Sequence, residues 1–134
     1  MVGYILDTSA IIELFSGSAS GRIVFNYLIS SDPAPIVPSI VLGEMRKKYI
    51  ENGRSDDSFI DNVGLLHRWC EIENIDEETS IRAGEIRAHS EKKGISLIDC
   101  IQLALSERYE YHVVSTDGHF EGDDRAVYIP RGDV

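Results

Sequence analysis

The sequence has no apolar run that reaches the roughly 18–20 residues needed for a helix that crosses a bilayer. It also lacks the positively charged start, apolar segment and small-residue cleavage site of a secretory signal. These two absences predict a cytoplasmic protein that has no membrane partner.

Cysteine is scarce, and an excess of positive charge is absent. The two cysteines, Cys70 and Cys100, lie far apart in the apolar contexts "HRWC" and "LIDCIQL", which is typical of buried thiols and argues against a disulfide framework. The formal net charge is −10, which argues against a protein that binds nucleic acid through bulk positive charge. An acidic protein still binds a polyanion where metal ions or a small basic patch separate the two charges.

The composition predicts one folded domain over residues 1–134. Of the 134 residues, 43% are hydrophobic, a share that is normal for a globular protein. Extended and helical patterns alternate along the chain. The predicted strands are "VGYIL", "PIVPS", "CEIENI", "HVVST" and "AVYIP". Strands separated by one or two helices predict an α/β domain, in which a parallel sheet is covered by helices on both faces.

Capping residues and glycines predict where several helices begin and end. A long helix is expected from Asp76 to about Lys93, where Gly94 follows, and Ser96 is expected to open the next helix. The stretch "DGHFEGDD" after the fourth predicted strand has no apolar periodicity, so we expect a polar loop there.

Two aspartates follow predicted strands directly. Asp7 comes after "VGYIL", and Asp117 comes almost directly after "HVV". Ligands of parallel sheets bind beyond the carboxyl ends of the strands, so these carboxylates should meet at one edge of the sheet. Glu44 and Asp99 lie on predicted helices that flank the same strands.

Each acid also has an ordinary structural interpretation. Asp7 is placed to cap a helix, Glu44 to join a solvated face, Asp99 to form a short capping box with Ser96, and Asp117 to cap a turn. Asp123 and Asp124 lie further along the loop and are interpreted as solvated. If the first four acids converge, their mutual repulsion is relieved by a divalent cation. An all-oxygen, carboxylate-rich site favours Mg²⁺ or Mn²⁺ over zinc.

Four stretches in order along the chain, "YILDTSAII", "PSIVLGEM", "ISLIDCIQLALS" and "VVSTDGHFE", followed by "AVYIP", resemble the PIN domain family. This is the fold of the VapC-type toxins of prokaryotic toxin–antitoxin pairs. The resemblance implies a three-layer α/β/α sandwich with a central parallel sheet of four to five strands. It also implies a metal-dependent ribonuclease activity.

The resemblance assigns candidate roles to particular residues. It places the catalytic and metal-binding carboxylates at Asp7, Glu44, Asp99 and Asp117, with Mg²⁺ or Mn²⁺ as the cofactor. Thr8 and Ser115 would orient carboxylates or water through hydrogen bonds, without contacting the metal themselves. The cations that follow Glu44 are candidates for substrate phosphate contacts; they are Arg46, Lys47 and Lys48. His119 is near Asp117, and the sequence alone favours a loop histidine with no role.

The implied substrate is RNA, and the implied partners are a small antitoxin protein and a second copy of the chain in a homodimer. A non-toxin PIN nuclease in RNA processing and a non-catalytic module that only binds a partner are the alternatives. A phosphatase of the haloacid-dehalogenase type is disfavoured, because its second aspartate is replaced here by Ser9. A receiver domain is disfavoured too, since the sequence lacks its acidic pair and its late lysine.

Overall fold

A computed structural model describes residues 2–132. Five strands form one parallel sheet: β1 (Tyr4–Leu6), β2 (Ile36–Pro38), β3 (Glu71–Glu73), β4 (His112–Ser115) and β5 (Ala126–Tyr128). Their spatial order is β3-β2-β1-β4-β5. Ile5 pairs with Ile36 on one side and with Val113 on the other. The strand that precedes Asp7 therefore lies at the centre of the sheet.

Within residues 2–132, six helices cover the sheet. They are α1 (Thr8–Ser16), α2 (Ala19–Ser30), α3 (Ser39–Glu51), α4 (Asp56–Trp69), α5 (Glu77–His89) and α6 (Leu97–Tyr109). Leu6, Val37 and Val114 face a core formed with α1 to α4. Neighbouring strand residues Ile5, Ile36 and Val113 face a second core with α5 and α6. The alternation of side chains along each strand thus separates two helical layers, which confirms the predicted three-layer α/β/α sandwich.

The predicted helix starts at Asp76 and Ser96 are confirmed, and two further serines cap helices in the same way. Ser18, Ser55, Asp76 and Ser96 each accept a backbone N–H at the start of a helix through their side chains, as N-cap residues do. Cys70 and Cys100 are buried free thiols, as predicted. In residues 2–132 no helix combines the length and the apolar character that crossing a bilayer requires.

Two segments differ from the sequence prediction. Helix α5 ends at His89 rather than near Lys93, because the Lys92 ammonium is held outside the helix by the carbonyls of His119 and Glu121, each at 2.8 Å. The expected polar loop contains a 3₁₀ turn, Gly118–Phe120, whose Phe120 is buried in the second core. Tertiary contacts made by an exposed lysine and a single aromatic ring decide both segments.

The prediction that Asp123 is solvated is wrong. Its carboxylate lies 3.0 Å from the Arg125 guanidinium, and only 13% of its side chain is exposed. Hydrogen bonds and the charge of Arg125 hold the pKa of Asp123 below its ordinary value, although burial opposes this shift. Asp124, by contrast, is exposed as expected.

Candidate functional site

A cleft of about 210 Å³ opens at the carboxyl edge of the sheet. All four predicted acids line it, although they come from four separate segments of the chain. The lining residues are Asp7, Thr8, Ser9, Glu44, Lys48, Gly94, Ser96, Asp99, Asp117, His119 and Arg131. The convergence expected from the strand ends is therefore present in the fold.

Asp7 is the most buried of these carboxylates, with 4% of the residue exposed. It occupies the N-cap position of α1, but its side chain makes no capping hydrogen bond. Instead, Oδ1 accepts from Gln102 Nε2 at 2.6 Å, and Oδ2 accepts from the hydroxyls of Ser9 at 2.8 Å and Ser115 at 2.7 Å. Three neutral donors thus hold a buried negative charge, and the helix-cap interpretation of this side chain is wrong.

The hydroxyls around Asp7 also fix the loop that follows β4. Ser115 Oγ accepts the backbone N–H of Asp117 at 2.9 Å, and Ser9 Oγ accepts that of Thr116 at 3.0 Å. Each serine therefore contacts both the Asp7 carboxylate and the backbone of this loop. The position of Asp117 is coupled to the position of Asp7 through these two side chains.

Glu44 and Asp99 are each held by a neighbouring hydroxyl residue. Thr8 Oγ1 donates to Glu44 Oε1 at 2.6 Å. Ser96 and Asp99 form a reciprocal capping box at the start of α6, with both hydrogen bonds at 3.0 Å. The capping interpretation of Asp99 is correct, and the same carboxylate, in a residue only 8% exposed, also lines the cleft.

Asp117 caps the short 3₁₀ turn by accepting the backbone N–H of His119 at 2.9 Å. The ring atom His119 Nδ1 lies 3.2 Å from Asp117 Oδ1 and 3.5 Å from Asp99 Oδ2. This atom is buried and has no hydrogen-bond partner among residues 2–132. His119 therefore lines the cleft beside two of its acids.

The carboxylates influence one another's ionisation. Burial raises the pKa of Glu44 above its ordinary value, and the charges of Asp7 and Asp99 raise it further, while the Thr8 hydrogen bond opposes them. Burial is also the main cause of the raised pKa of Asp99, to which the charges of Asp7 and Asp117 contribute. Negative charge is concentrated in this cleft beyond what its hydrogen bonds offset.

The cleft offers carboxylate and hydroxyl oxygens, which are the donors that Mg²⁺ and Mn²⁺ prefer. Within the described part of the chain, no three side chains of the His, Cys, Asp and Glu types stand together as a ready-made metal cluster. The chemistry of the donor set fits a hard divalent cation, whose charge would offset both the burial of Glu44 and Asp99 and the repulsion that adds to it.

The raised pKa values predict how stability changes with pH in the metal-free protein. Below about pH 4, the ordinary pKa of both groups, Glu44 and Asp99 are protonated and do not destabilise the fold. As the pH rises through their raised pKa values, both side chains ionise in the buried cleft, and the free energy of unfolding falls. We expect Asp99→Asn to gain free energy of unfolding relative to wild type as the pH rises above about 4 and the wild-type carboxyl ionises. Urea unfolding at several pH values measures this difference, and Asp124→Asn serves as the charge-matched control. A difference that stays constant with pH would contradict the raised pKa of Asp99.

The three predicted phosphate-binding cations do not share one location. Lys48 lines the cleft. Arg46 instead lies outside it, paired with Asp56 at 2.8 Å and stacked over the Phe59 ring. Lys47 is also elsewhere, 3.7 Å from Glu51 on the exposed side of α3. A helix spreads three consecutive residues over different faces, so only one of the three reaches the site.

Sequence reasoning overlooked Ser9, Gln102 and Arg131. Ser9 follows Asp7 by two residues, and Gln102 lies one helical turn after Asp99 in an otherwise apolar run. A glutamine within an apolar run was the available signal, because such a position is expected to be buried and a buried amide needs a polar partner. The structure shows Gln102 fully buried. Nothing in the local sequence signals the position of Arg131.

The family model of the PIN domain matches residues 4–122, a span that contains all four cleft carboxylates. The chain belongs to the PIN domain family. This membership confirms the resemblance carried by the four sequence stretches. No curated protein matches the sequence of this PIN domain.

Solved structures share the fold at low sequence identity. A toxin–antitoxin complex from Klebsiella pneumoniae aligns with a TM-score of 0.73 and 19% identity, covering 96% of this chain and 99% of that chain. The sarcin–ricin loop cleaving toxin VapC20 of Mycobacterium tuberculosis gives 0.74 and 17%, covering 95% and 99%. VapBC2 from Rickettsia felis, bound to a promoter DNA fragment, gives 0.71 and 15%, covering 98% and 100%. The PIN domain described here is thus similar in fold and in extent to toxin proteins.

Proposed function

We propose that this PIN domain is a metal-dependent endoribonuclease that hydrolyses RNA phosphodiester bonds in the cytoplasm, as the toxin of a type II toxin–antitoxin pair. One observation carries the proposal. Four carboxylates from separate elements line one cleft, and the most buried of them, Asp7, is fixed by three neutral donors. A merely structural aspartate would have no need of three further acids around it.

Asp7, Asp99 and Asp117 would hold Mg²⁺ or Mn²⁺, and Glu44 would serve as a further ligand or orient the attacking water. When bound, the cation lowers the pKa of that water and neutralises charge on the phosphate oxygens. Gln102, together with Ser9 and Ser115, keeps the Asp7 carboxylate in one orientation. Products with a 5′-phosphate and a 3′-hydroxyl are expected.

Thr8 and Lys48 would act on either side of Glu44. The hydroxyl of Thr8 fixes one carboxylate oxygen of Glu44 at 2.6 Å, which leaves the other oxygen to face the cleft or a water molecule. Lys48 lies one helical turn after Glu44 on α3, and its charge acts to lower the pKa of that acid. Its ammonium would contact a phosphate of the bound RNA.

The proposed protein partners are a small antitoxin and a second copy of the chain. Similar folds occur in a toxin–antitoxin complex and in VapBC2. In this chain an apolar groove of about 520 Å³ runs between α1, α2 and α4 and is lined by Leu14, Phe15, Phe25, Leu65 and Trp69 among others. A groove of aromatic rings is suited to an apolar segment of a partner.

The test is cleavage of mixed cellular RNA with Mg²⁺, with Mn²⁺ or with a chelator. Wild type and the control Asp124→Asn should cleave in the presence of a cation, whereas Asp99→Asn and Asp117→Asn should not. Cleavage that survives in both variants, or in the chelator, would contradict the proposal. An inactive wild type that still captures a protein partner would favour the non-catalytic module.

The toxin assignment has its own test. Expression of the wild type should arrest growth, and co-expression of a small protein encoded next to it should restore growth. Nuclease activity without growth arrest would favour an RNA-processing role instead.

A further inference from the structure

The residues that follow β5 are fastened to the body of the protein close to the cleft. The backbone N–H of Ile129 donates to the carbonyl of Ser115 at 2.8 Å, and Ile129 is buried. The hydroxyl of Ser20 on α2 donates to the carbonyl of Pro130 at 3.4 Å and accepts the N–H of Gly132 at 2.9 Å. Ser20 is only 1% exposed, so a buried side chain uses its hydrogen bonds to hold this segment.

Arg131 lies between the two residues that Ser20 holds, and its side chain lines the cleft. Its Nε atom donates to Thr116 Oγ1 at 3.3 Å. Thr116 stands between Ser115 and Asp117, so the guanidinium is placed at the rim next to the acid-bearing loop. Anchoring on both sides of a residue limits the positions that its long side chain reaches.

Arg131 makes no ion pair within 4.0 Å with another residue of the described range 2–132. Among residues 2–132, the ion pairs within 4.0 Å involve other cations, such as Arg82, Arg108 and Arg125. A guanidinium at an acidic cleft would form such a pair if its role were to neutralise the carboxylates. Apart from Nε, which donates to Thr116, its N–H donors form no ion pair with the described residues and are suited to a ligand.

We propose that Arg131 binds a phosphate of the RNA substrate at the rim of the cleft. This inference rests on the proposed ribonuclease function. A substrate polyanion approaching a chain of net charge −10 needs a local cation to enter an acidic cleft. Arginine binds phosphate through two parallel hydrogen bonds, and Lys48 supplies a second positive charge in the same cleft. Arg131 lies outside the family-matched residues 4–122.

The test is binding of a fluorescent, random-sequence, single-stranded RNA by the full chain in the presence of a chelator, which prevents cleavage. Arg131→Gln should weaken binding about tenfold, and the slope of log affinity against log salt should fall by about 0.7, the value for one lost phosphate contact on a single strand. Arg131→Lys should restore part of the affinity. Ser20→Ala, which keeps the arginine but releases its anchor, should also weaken binding. Arg68→Gln, an exposed change on α4 with the same charge difference, should have no effect.

The outcomes separate this inference from the proposed function. If wild type binds and cleaves RNA while Arg131→Gln behaves like Arg68→Gln, the phosphate contact is wrong and the nuclease assignment stands. If Arg131→Gln cleaves faster than wild type, the arginine obstructs the cleft and the inference is overturned. A wild type that neither binds nor cleaves RNA would overturn the proposed function, and this contact with it.

Discussion

Replacing Asp7 with asparagine is expected to lower the rate of RNA cleavage by at least about 100-fold while the protein stays folded. Loss of a residue that hydrogen-bonds to a metal ligand typically costs 10–100-fold in affinity or activity. Asp7 is itself the central proposed ligand, so its loss should cost at least as much. The measurement is the initial cleavage rate with Mg²⁺, for Asp7→Asn beside the exposed control Asp124→Asn.

The fold should tolerate this change because asparagine has the same shape and finds partners at the same place. Its carbonyl oxygen accepts from Gln102 as Oδ1 of Asp7 does, and its amide donates to the oxygens of Ser9 and Ser115. The substitution also removes a negative charge that raises the pKa values of Glu44 and Asp99. We therefore expect the melting temperature of the metal-free variant to equal or exceed that of wild type at neutral pH.

Two results would contradict this account. A variant that cleaves at the wild-type rate would show that Asp7 takes no part in catalysis. A variant that is inactive because it has unfolded would show that Asp7 contributes mainly to stability, and circular dichroism separates that case from loss of chemistry.

Local sequence patterns sufficed to predict the layers and the four acids. The alternation of strands and helices determines a parallel sheet, and a parallel sheet brings Asp7 and Asp117 to one edge. The capping signal at Ser96 correctly located the start of α6 and with it Asp99. These features depend on residues close together in the sequence, or on rules that hold for the whole fold class.

The other features of the site depend on long-range contacts. Gln102 contacts Asp7 from 95 positions away, and Ser20 holds Gly132 from 112 positions away. The end of α5 depends on the bonds from Lys92 to the loop that carries His119. No local pattern contains such pairings, because the same side chains would be solvated if the chain packed otherwise.

Gln102→Glu is expected to destabilise the metal-free protein strongly at neutral pH, by about 3–5 kcal/mol, the range for an uncompensated buried charge. The side chain at position 102 is fully buried, and its amide nitrogen lies 2.6 Å from Asp7 Oδ1. Glutamate has the same size as glutamine, so the change replaces a donor by a second acceptor without altering the packing. Urea unfolding at neutral pH measures the loss.

The pH dependence identifies the cause of that loss. Two adjacent buried carboxylates share a proton readily, so the pair has a raised pKa in the folded protein. The stability of Gln102→Glu should therefore recover as the pH falls through that value, and Mg²⁺ or Mn²⁺ should restore part of it at neutral pH. Gln102→Met, which removes the donor without adding a charge, should be destabilised less and should recover less as the pH falls. If Gln102→Glu followed the wild-type pH profile, its carboxylate would not face Asp7, and the hydrogen bond that orients the central acid of the cleft would be wrong.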